Sequence, residues 1–319
     1  MKNLYRQLTL KQRYQIQAYL KVELSLQGIA DNVGCNKSSI SRELKRCKPG
    51  RYCAETAHNS SINKRKKAKK FTKKTDAAIK AIGDLLEKKY SPRAIAGRMQ
   101  LEQCSERVSH ETIYQWAYQM KSLGGDWHQY LLRAKRGYRK KRKASSISGL
   151  APDRISIDLR GKAANDRLHR GHWEGDTVHG SSGNLVTVID RKTRYLEARK
   201  TERRGKDEVG KKLCEMLSMH TARTITVDNG REFYGHADIT EKTGIKVYFA
   251  DPYASWQKGS IEHANGLLRR YFPKGTDFTK VSAQKLRRVV EKINMMPREI
   301  LGWKSAFEVH HGVSVALIT

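Results

Sequence analysis

The pattern of apolar and polar positions along the chain changes near residue 172. Before that point apolar side chains recur at helical spacing, as in Leu10, Ile16, Tyr19 and Leu20, and this period predicts helices. After it, short apolar runs alternate with turn residues, which is typical of strands. The sequence therefore predicts a multidomain protein, with all-α helix-turn-helix units followed by an α/β domain.

The first helical segment, residues 8–46, has the pattern of a helix-turn-helix. Ser25 is a typical cap for a short helix, and Gly34 provides a tight turn before a second helix that begins near Asn36. A shared apolar core would leave short polar and basic side chains outside, as in a helix that reads the major groove. A plain helical hairpin is the alternative. The expected DNA contacts are Lys37, Ser38, Ser39, Ser41, Arg42, Lys45 and Arg46.

A second, weaker helix-turn-helix candidate lies between two basic runs. Ser91-Pro92 predicts a capped helix with proline at its first position, and a second helix is expected from Ser109. Ile113 and Trp116 would serve a core as readily as a functional surface. The basic runs, residues 64–70 and 135–143, have no apolar period and suggest linkers that follow phosphates. The predicted organisation is a helix-turn-helix domain at 1–60, a basic linker at 61–75, a second helical domain at 76–133, a basic linker at 134–165 and a catalytic domain at 166–319.

The order of elements after residue 172 predicts the fold of the catalytic domain. Short turns join the first three strands, which indicates an antiparallel meander. Two further strands follow, separated by helices, and a last helix begins near residue 260. This is the element order of the ribonuclease H fold, so we predict an α/β, retroviral integrase-like domain with a mixed five-stranded sheet. The predicted strands span residues 172–178, 185–190, 195–199, 224–228 and 245–250.

Charge identifies the class of partner. The chain has 64 Lys+Arg against 32 Asp+Glu, a net charge of +32, and an excess of this size favours nucleic acid. Residues 1–150 carry 34 − 11 = +23 of it, and residues 151–319 carry 30 − 21 = +9. No apolar stretch approaches the roughly 18 residues of a membrane span, so no membrane partner is expected. Five cysteines without a CxxC pair favour reduced thiols and a cytoplasmic protein.

Three acidic residues occupy positions suited to phosphodiester chemistry. Asp176 lies on the first strand, Asp228 ends the fourth, and Glu262 opens the last helix. Mg²⁺ prefers carboxylate oxygens, and two ions about 3.5–4 Å apart can stabilise both the entering and the leaving oxygen. A chain with 32 acidic residues also contains sets of three such acids by chance, so the prediction rests on where these three lie on the strands and the helix. The predicted cofactor is two Mg²⁺ ions, or Mn²⁺ in their place. Further DNA contacts are expected from Lys258, Asn265 and Arg269.

The motifs resemble those of DDE transposases of the bacterial insertion-sequence-thirty family. The matching stretches are GHWEGDTVHG (171–180), TVDNGREF (226–233), PYASWQKGSIEHANGLLRRYFPKGTDF (252–278) and INMMPREILGWKSAFEV (293–309). The resemblance implies that Asp176, Asp228 and Glu262 are the catalytic, metal-binding acids. It also implies an enzyme that binds the terminal inverted repeats of its element, cuts the ends and joins a 3′-hydroxyl to target DNA. A homodimer or larger assembly is expected on DNA.

The chain departs from the family pattern around the last acid and in the tail, but no departure removes an acid. Two other functions stay open at this point. One is a catalytically silent, DNA-binding regulator derived from a transposase, and the other is a nuclease that cuts without joining. The departures are Ile261, His263, Ala264, Met296, Ser305 and Ala306.

Overall fold

The computed structural model describes residues 7–48, 50–67, 75–131, 151, 153–252 and 254–317. The chain divides into two compact units, Met1–Thr72 and Lys73–Thr319, which we call the N-terminal and C-terminal units. Each has its own core, and each is described by itself. The second basic run, residues 135–143, lies outside the described residues, as does the first part of the predicted linker at 134–165.

The N-terminal unit contains the predicted helix-turn-helix, which is confirmed, with a further helix before and after it. Thr9 caps the first helix in a reciprocal bond with Gln12. Gly34 ends the second helix with a φ of 72°, a left-handed conformation that glycine adopts without strain. The core consists of Ile16, Ile29, Ala30, Val33 and Ile40. The helices are α1 (Leu10–Lys21), α2 (Leu26–Val33), α3 (Lys37–Leu44) and α4 (Ala54–Lys67).

Helix α4 carries the beginning of the first basic run. Its last turn contains Lys64, Arg65, Lys66 and Lys67, while residues 68–74 lie outside the described part of the chain. The described part of the segment interpreted as a basic linker is therefore helical up to Lys67, and its charges project from a regular helix.

The C-terminal unit is built on a five-stranded sheet with the order β3-β2-β1-β4-β5. Pairing is antiparallel between β1 and β2 and between β2 and β3, but parallel between β1 and β4 and between β4 and β5. The mixed sheet confirms the predicted fold class and places β1 at the centre. The strands are β1 (His172–His179), β2 (Asn184–Asp190), β3 (Leu196–Thr201), β4 (Thr224–Val227) and β5 (Lys246–Phe249).

Helices cover both faces of this sheet. They are α9 (Lys206–Leu217), α10 (His236–Thr243), α11 (Gly259–Leu268) and α12 (Ala283–Asn294). The unit also contains two short helices, α8 (Lys162–Asn165) and α13 (Ala306–His311). Side chains alternate along a strand, so β2 contributes to two cores. Val186 and Val188 pack with α9 and α10 on one face. Leu185 and Ile189 pack with α11 and α12 on the other.

Three helices that precede the sheet in sequence share its core. They are α5 (Asp76–Glu87), α6 (Pro92–Leu101) and α7 (His110–Ser122). Ser91 caps α6, with Pro92 in its first turn, as predicted. Ile82 and Ile95 belong to the same buried cluster as residues of α11 and α12. None of the described helices is long and apolar enough to cross a lipid bilayer.

The tail of the chain, from residue 297, is fastened to α6. Gly97 lets Trp303 lie directly against the helix, because a Cβ at this position would be 2.1 Å from the indole ring. Arg98 donates to both carboxylate oxygens of Glu308, at 2.8 and 2.9 Å, and both side chains are buried. These long-range contacts join the helical segment and the tail into one packed body.

Candidate active site and DNA-binding surface

The centre of the sheet brings two of the predicted catalytic acids together. Asp176 lies on β1, and Asp228 directly follows the neighbouring parallel strand β4. The ammonium of Lys258 lies 3.8 Å from Asp176 Oδ1 and 3.5 Å from Asp228 Oδ2. One positive charge therefore contacts both carboxylates.

Glu262 stands in the first turn of α11, the helix that covers this end of the sheet. Partial desolvation raises the pKa of Glu262, Lys258 opposes that shift, and the charges of Asp176 and Glu174 add to it. The acids therefore influence one another, and we call Asp176, Asp228 and Glu262 the acid cluster. The described residues contain no three acidic, histidine or cysteine side chains already arranged around a common metal position.

Asp176 is oriented by a chain of hydrogen bonds. Asn265 Nδ2 donates to Asp176 Oδ2 at 2.7 Å, and Thr187 Oγ1 donates to Asn265 Oδ1 at 3.1 Å. Burial raises the pKa of Asp176, the charge of Lys258 lowers it, and the charge of Asp228 raises it further. The carboxylate is thus held in place at a cost in desolvation, a combination found at functional sites.

Glu174 fastens the helix that carries Glu262 to the central strand. The Glu174 side chain is fully buried, and its Oε2 accepts a hydrogen bond from the Ile261 amide at 2.9 Å. Its Oε1 accepts from Arg191, also at 2.9 Å. Two residues before Asp176, this buried carboxylate therefore fixes the beginning of α11 relative to β1.

The three DNA contacts expected near Glu262 have protein partners in this structure. Lys258 is 6% exposed and faces the acid cluster, and the amide of Asn265 contacts Asp176. Arg269 is half-buried and donates to two carbonyls, that of His179 at 2.6 Å and that of Pro273 at 3.4 Å. Apart from the bond between Arg269 and Pro273, these contacts join segments far apart in the chain, and so the sequence did not reveal them.

The donor set of the acid cluster fits a hard divalent cation. Carboxylate oxygens are the ligands that Mg²⁺ prefers, and the position of Lys258 shows that the space between Asp176 and Asp228 accommodates a positive charge. The Gly230 amide donates to Asp228 Oδ1 at 3.0 Å and leaves Oδ2 turned towards Lys258.

Helix α3 of the N-terminal unit presents the residues expected to read DNA. Arg42 donates to the Ser38 carbonyl at 3.1 Å, which folds its side chain back along the helix. Arg46 pairs at 2.7 Å with Glu43, which is also bound by the buried Arg13 at 2.6 Å. This ion-pair network fixes α3 to α1. Lys37, Ser38, Arg42 and Lys45 are exposed, and Ser39, Ser41 and Arg46 are half-buried.

A cavity of about 340 Å³ in the same unit collects charges from α3 and α4. Arg42 lines it from α3, Arg46 from the turn after α3, and Lys64 and Arg65 from α4. Interpreting residues 64–70 as a linker missed this convergence. Helix α4 therefore extends the basic surface of the helix-turn-helix.

Two families of domains match the chain. Residues 5–47 match a helix-turn-helix domain, and residues 167–255 match an integrase core domain. The second match includes Asp176 and Asp228 and ends before Glu262.

Transposases of insertion sequences match nearly the whole chain. The transposase for element IS4351 of Bacteroides fragilis is 36% identical over 305 residues, which are 93% of this chain and 93% of that protein. The transposase for IS1086 of Cupriavidus metallidurans is 32% identical over 96% of this chain and 94% of its own length. The transposase InsI for IS30A of Escherichia coli is 34% identical over 95% of this chain and 82% of its own length.

Proposed function

The chain belongs to the insertion-sequence-thirty family of transposases, and from this membership we propose that it binds the terminal inverted repeats of an insertion sequence and catalyses divalent-metal-dependent cleavage and strand transfer of DNA. The observation that supports the proposed catalysis is that Asp176 and Asp228 both lie near the ammonium of Lys258, beside α11, the helix that contains Glu262. The exposed basic residues of α3 support the recognition of DNA ends.

In the proposed mechanism Asp176, Asp228 and Glu262 would hold two Mg²⁺ ions, or Mn²⁺ in their place, and the metal would stabilise the entering and the leaving oxygen of the phosphodiester. Asn265 keeps Asp176 oriented, and Glu174 keeps α11 against the sheet. Water attacks the phosphodiester at the element end and releases a 3′-hydroxyl. That hydroxyl then attacks a target phosphodiester, so one phosphorus–oxygen bond forms as another breaks.

A cleavage and strand-transfer assay of the full chain tests this proposal. DNA that carries candidate terminal repeats is incubated with Mg²⁺ or with a chelator, and cut and joined products are measured. Asp228→Asn should abolish both products while leaving end binding intact. The control Asp238→Asn changes an exposed acid of α10 and should behave as wild type. Unchanged cleavage by Asp228→Asn would contradict the assignment.

The same assay distinguishes a transposase from the two other functions, a DNA-binding regulator and a nuclease. A regulator would bind the ends but cut nothing with either metal. A nuclease would cut but would not join a supplied pre-cut 3′-hydroxyl end to target DNA. Because the proposed reaction joins two ends in concert, we propose a homodimer or larger assembly on DNA, measurable as the protein-to-DNA ratio of the isolated complex. Binding should weaken steeply with salt, since phosphate contacts release counterions.

A further inference from the structure

A cavity of about 410 Å³ in the C-terminal unit is lined by the beginning of α11, the helix that carries Glu262. It is formed between α6, the beginning of α11 and the tail segment 297–303, and its lining includes Ser260 and His263, on either side of Glu262 in sequence. We call it the cationic cavity. Its basic lining residues are Arg93, Arg167, Arg194, His263 and Arg298, and Glu299 is the one acid among the described residues that line it.

The described residues that line this cavity balance its charge only in part. Glu299 pairs with Arg93 at 2.7 Å, and both side chains are more than half exposed, at 53% and 63%. That pair neutralises an arginine at the solvent side only. Arg194 is 7% exposed and donates to the hydroxyl of Ser260 rather than to a carboxylate. The buried side of the cavity therefore keeps its positive charge.

Arg298 brings an unsatisfied buried donor to the cavity. Its Nε is buried without a hydrogen-bond partner among the described residues, and its Nη2 reaches only the Ile293 carbonyl, at 3.4 Å. Burial, reinforced by repulsion from Arg194, lowers the pKa of Arg298 to about 10. Burial together with the charge of Arg167 lowers the pKa of Arg194 to about 10 as well. Buried cations that repel one another are costly unless an anion joins them.

We propose that the cationic cavity binds a backbone phosphate of DNA, through Arg298 and Arg194, beside the phosphodiester at which the acid cluster acts. This inference rests on the proposed function. A guanidinium presents paired N–H groups that match phosphate oxygens, and the orphaned Nε of Arg298 supplies such a donor. The volume falls within the roughly 300–1,000 Å³ of small-ligand sites, so a sugar can enter with its phosphate. The positive end of the α11 dipole adds to the attraction.

Neutralising phosphates one at a time tests the contact directly. The full chain is given DNA in which single phosphates around the cleavage site are replaced by methylphosphonates, and cleavage and joining rates are measured. One replacement should slow wild type by about 10- to 100-fold, as expected for a hydrogen bond to a charged group. Arg298→Gln should slow the reaction on unmodified DNA by a similar factor. The two changes together should cost no more than either alone.

Two variants serve as controls. Arg287→Gln removes an exposed arginine of α12 and should leave the rates unchanged and the methylphosphonate effect intact. Arg298→Lys keeps the charge and should recover part of the loss. Without DNA, Arg298→Gln should melt at the wild-type temperature or above it, because it removes a repelled cation. A purely structural role for Arg298 would instead lower that temperature.

The outcomes separate this inference from the proposed function. If wild type neither cuts nor joins DNA with any metal, the proposed function fails. If wild type is active but Arg298→Gln is additive with every methylphosphonate, the phosphate contact is overturned while the function stands. If inorganic phosphate raises the melting temperature of wild type but not of Arg298→Gln, and the effects on DNA stay additive, the cavity binds a free anion and the DNA contact is likewise overturned.

Discussion

Replacing Lys258 with methionine removes a cation that contacts two members of the acid cluster. The Lys258 ammonium is 3.8 Å from Asp176 and 3.5 Å from Asp228, so in Lys258→Met the two carboxylates face each other without it. Methionine keeps most of the side-chain volume, which limits the effect of lost packing. We expect the metal-free variant to be less stable than wild type and to respond more strongly to Mg²⁺.

The distances set the size of this effect. Two unit charges about 4 Å apart interact by roughly 4 kcal/mol at an effective dielectric constant of 20 and by roughly 1 kcal/mol in water. The Asp228 side chain is 47% exposed, so its contact lies nearer the lower value, and desolvation of the lysine offsets part of the gain. A net loss of about 2 kcal/mol follows. For a domain of this size that corresponds to a fall in melting temperature of roughly 4–8 °C.

Tryptophan fluorescence during thermal unfolding measures the change in melting temperature of the C-terminal unit, which contains Lys258. All five tryptophans follow residue 73, so the signal reports on the C-terminal unit. Mg²⁺ added to Lys258→Met should restore stability and shift its melting temperature more than that of wild type, because the ion need not displace an ammonium. Lys285→Met, an exposed lysine of α12, is the control and should change neither value.

Two results would refute this reasoning. The first is a metal-free Lys258→Met variant as stable as wild type, which would mean that the lysine does not offset repulsion between the acids. The second is an equal or smaller shift with Mg²⁺, which would mean that the ammonium and the metal ion do not compete for one position.

Three further predictions concern packing and titration in the C-terminal unit, each measured by urea unfolding. Gly97→Ala should lose about 1–3 kcal/mol, because its Cβ would lie 2.1 Å from Trp303. Gly210→Ala is the control: its Cβ meets only ordinary contacts at 3.8 Å, so its stability should be unchanged or raised. An equal loss of stability in the two variants would contradict the close contact between α6 and Trp303. Although burial alone would raise it, hydrogen bonds from an arginine and two amides lower the pKa of Glu308 from 4.5 to about 2. Its contribution is therefore complete above pH 4.5 and lost as the pH falls towards 2, and Glu308→Gln should cost about 3 kcal/mol at pH 7. Burial and neighbouring histidines lower the pKa of His310 from 6.5 to about 4. Stability should therefore decline as the pH falls from 6.5 to 4, and His310→Phe should flatten that window; an unchanged pH profile would contradict the assignment.

The fold was predictable because its elements carry local signals. The strands after residue 172 are short apolar runs bounded by turn residues, and the structure places β1 to β5 close to the predicted limits. Ser25 and Gly34 mark the ends of α2 by the same local physics of capping and left-handed turns. Signals of this kind depend on a few neighbouring residues, and so they are legible in one sequence.

The packing of the helical segment and the partners of site residues were not predictable in this way. Gly97 meets Trp303, and Arg98 meets Glu308, across more than 200 positions of chain. Nothing local distinguishes these residues from exposed ones. Lys258 is predicted to contact DNA, and nothing local in the sequence indicated that it also lies near two carboxylates. Only the register of β1 beside β4 brings those acids to the lysine.

The first turn of α11 lies near two groups of charges that the protein satisfies only in part, the acid cluster and the cationic cavity. Burial, reinforced by a neighbouring acid, raises the pKa of Asp176 and Glu262 beside the first turn of α11. Burial, reinforced by a neighbouring arginine, lowers the pKa of Arg194 and Arg298 in the cationic cavity, which the same turn lines. Each arrangement costs free energy without a ligand, and each would be relieved by a ligand of opposite sign. A metal cation at the acids and a DNA phosphate in the cavity also attract one another, so each should bind more tightly in the presence of the other. Such coupling is reciprocal by thermodynamic necessity, and it would restrict full assembly of the site to the moment when DNA is in place.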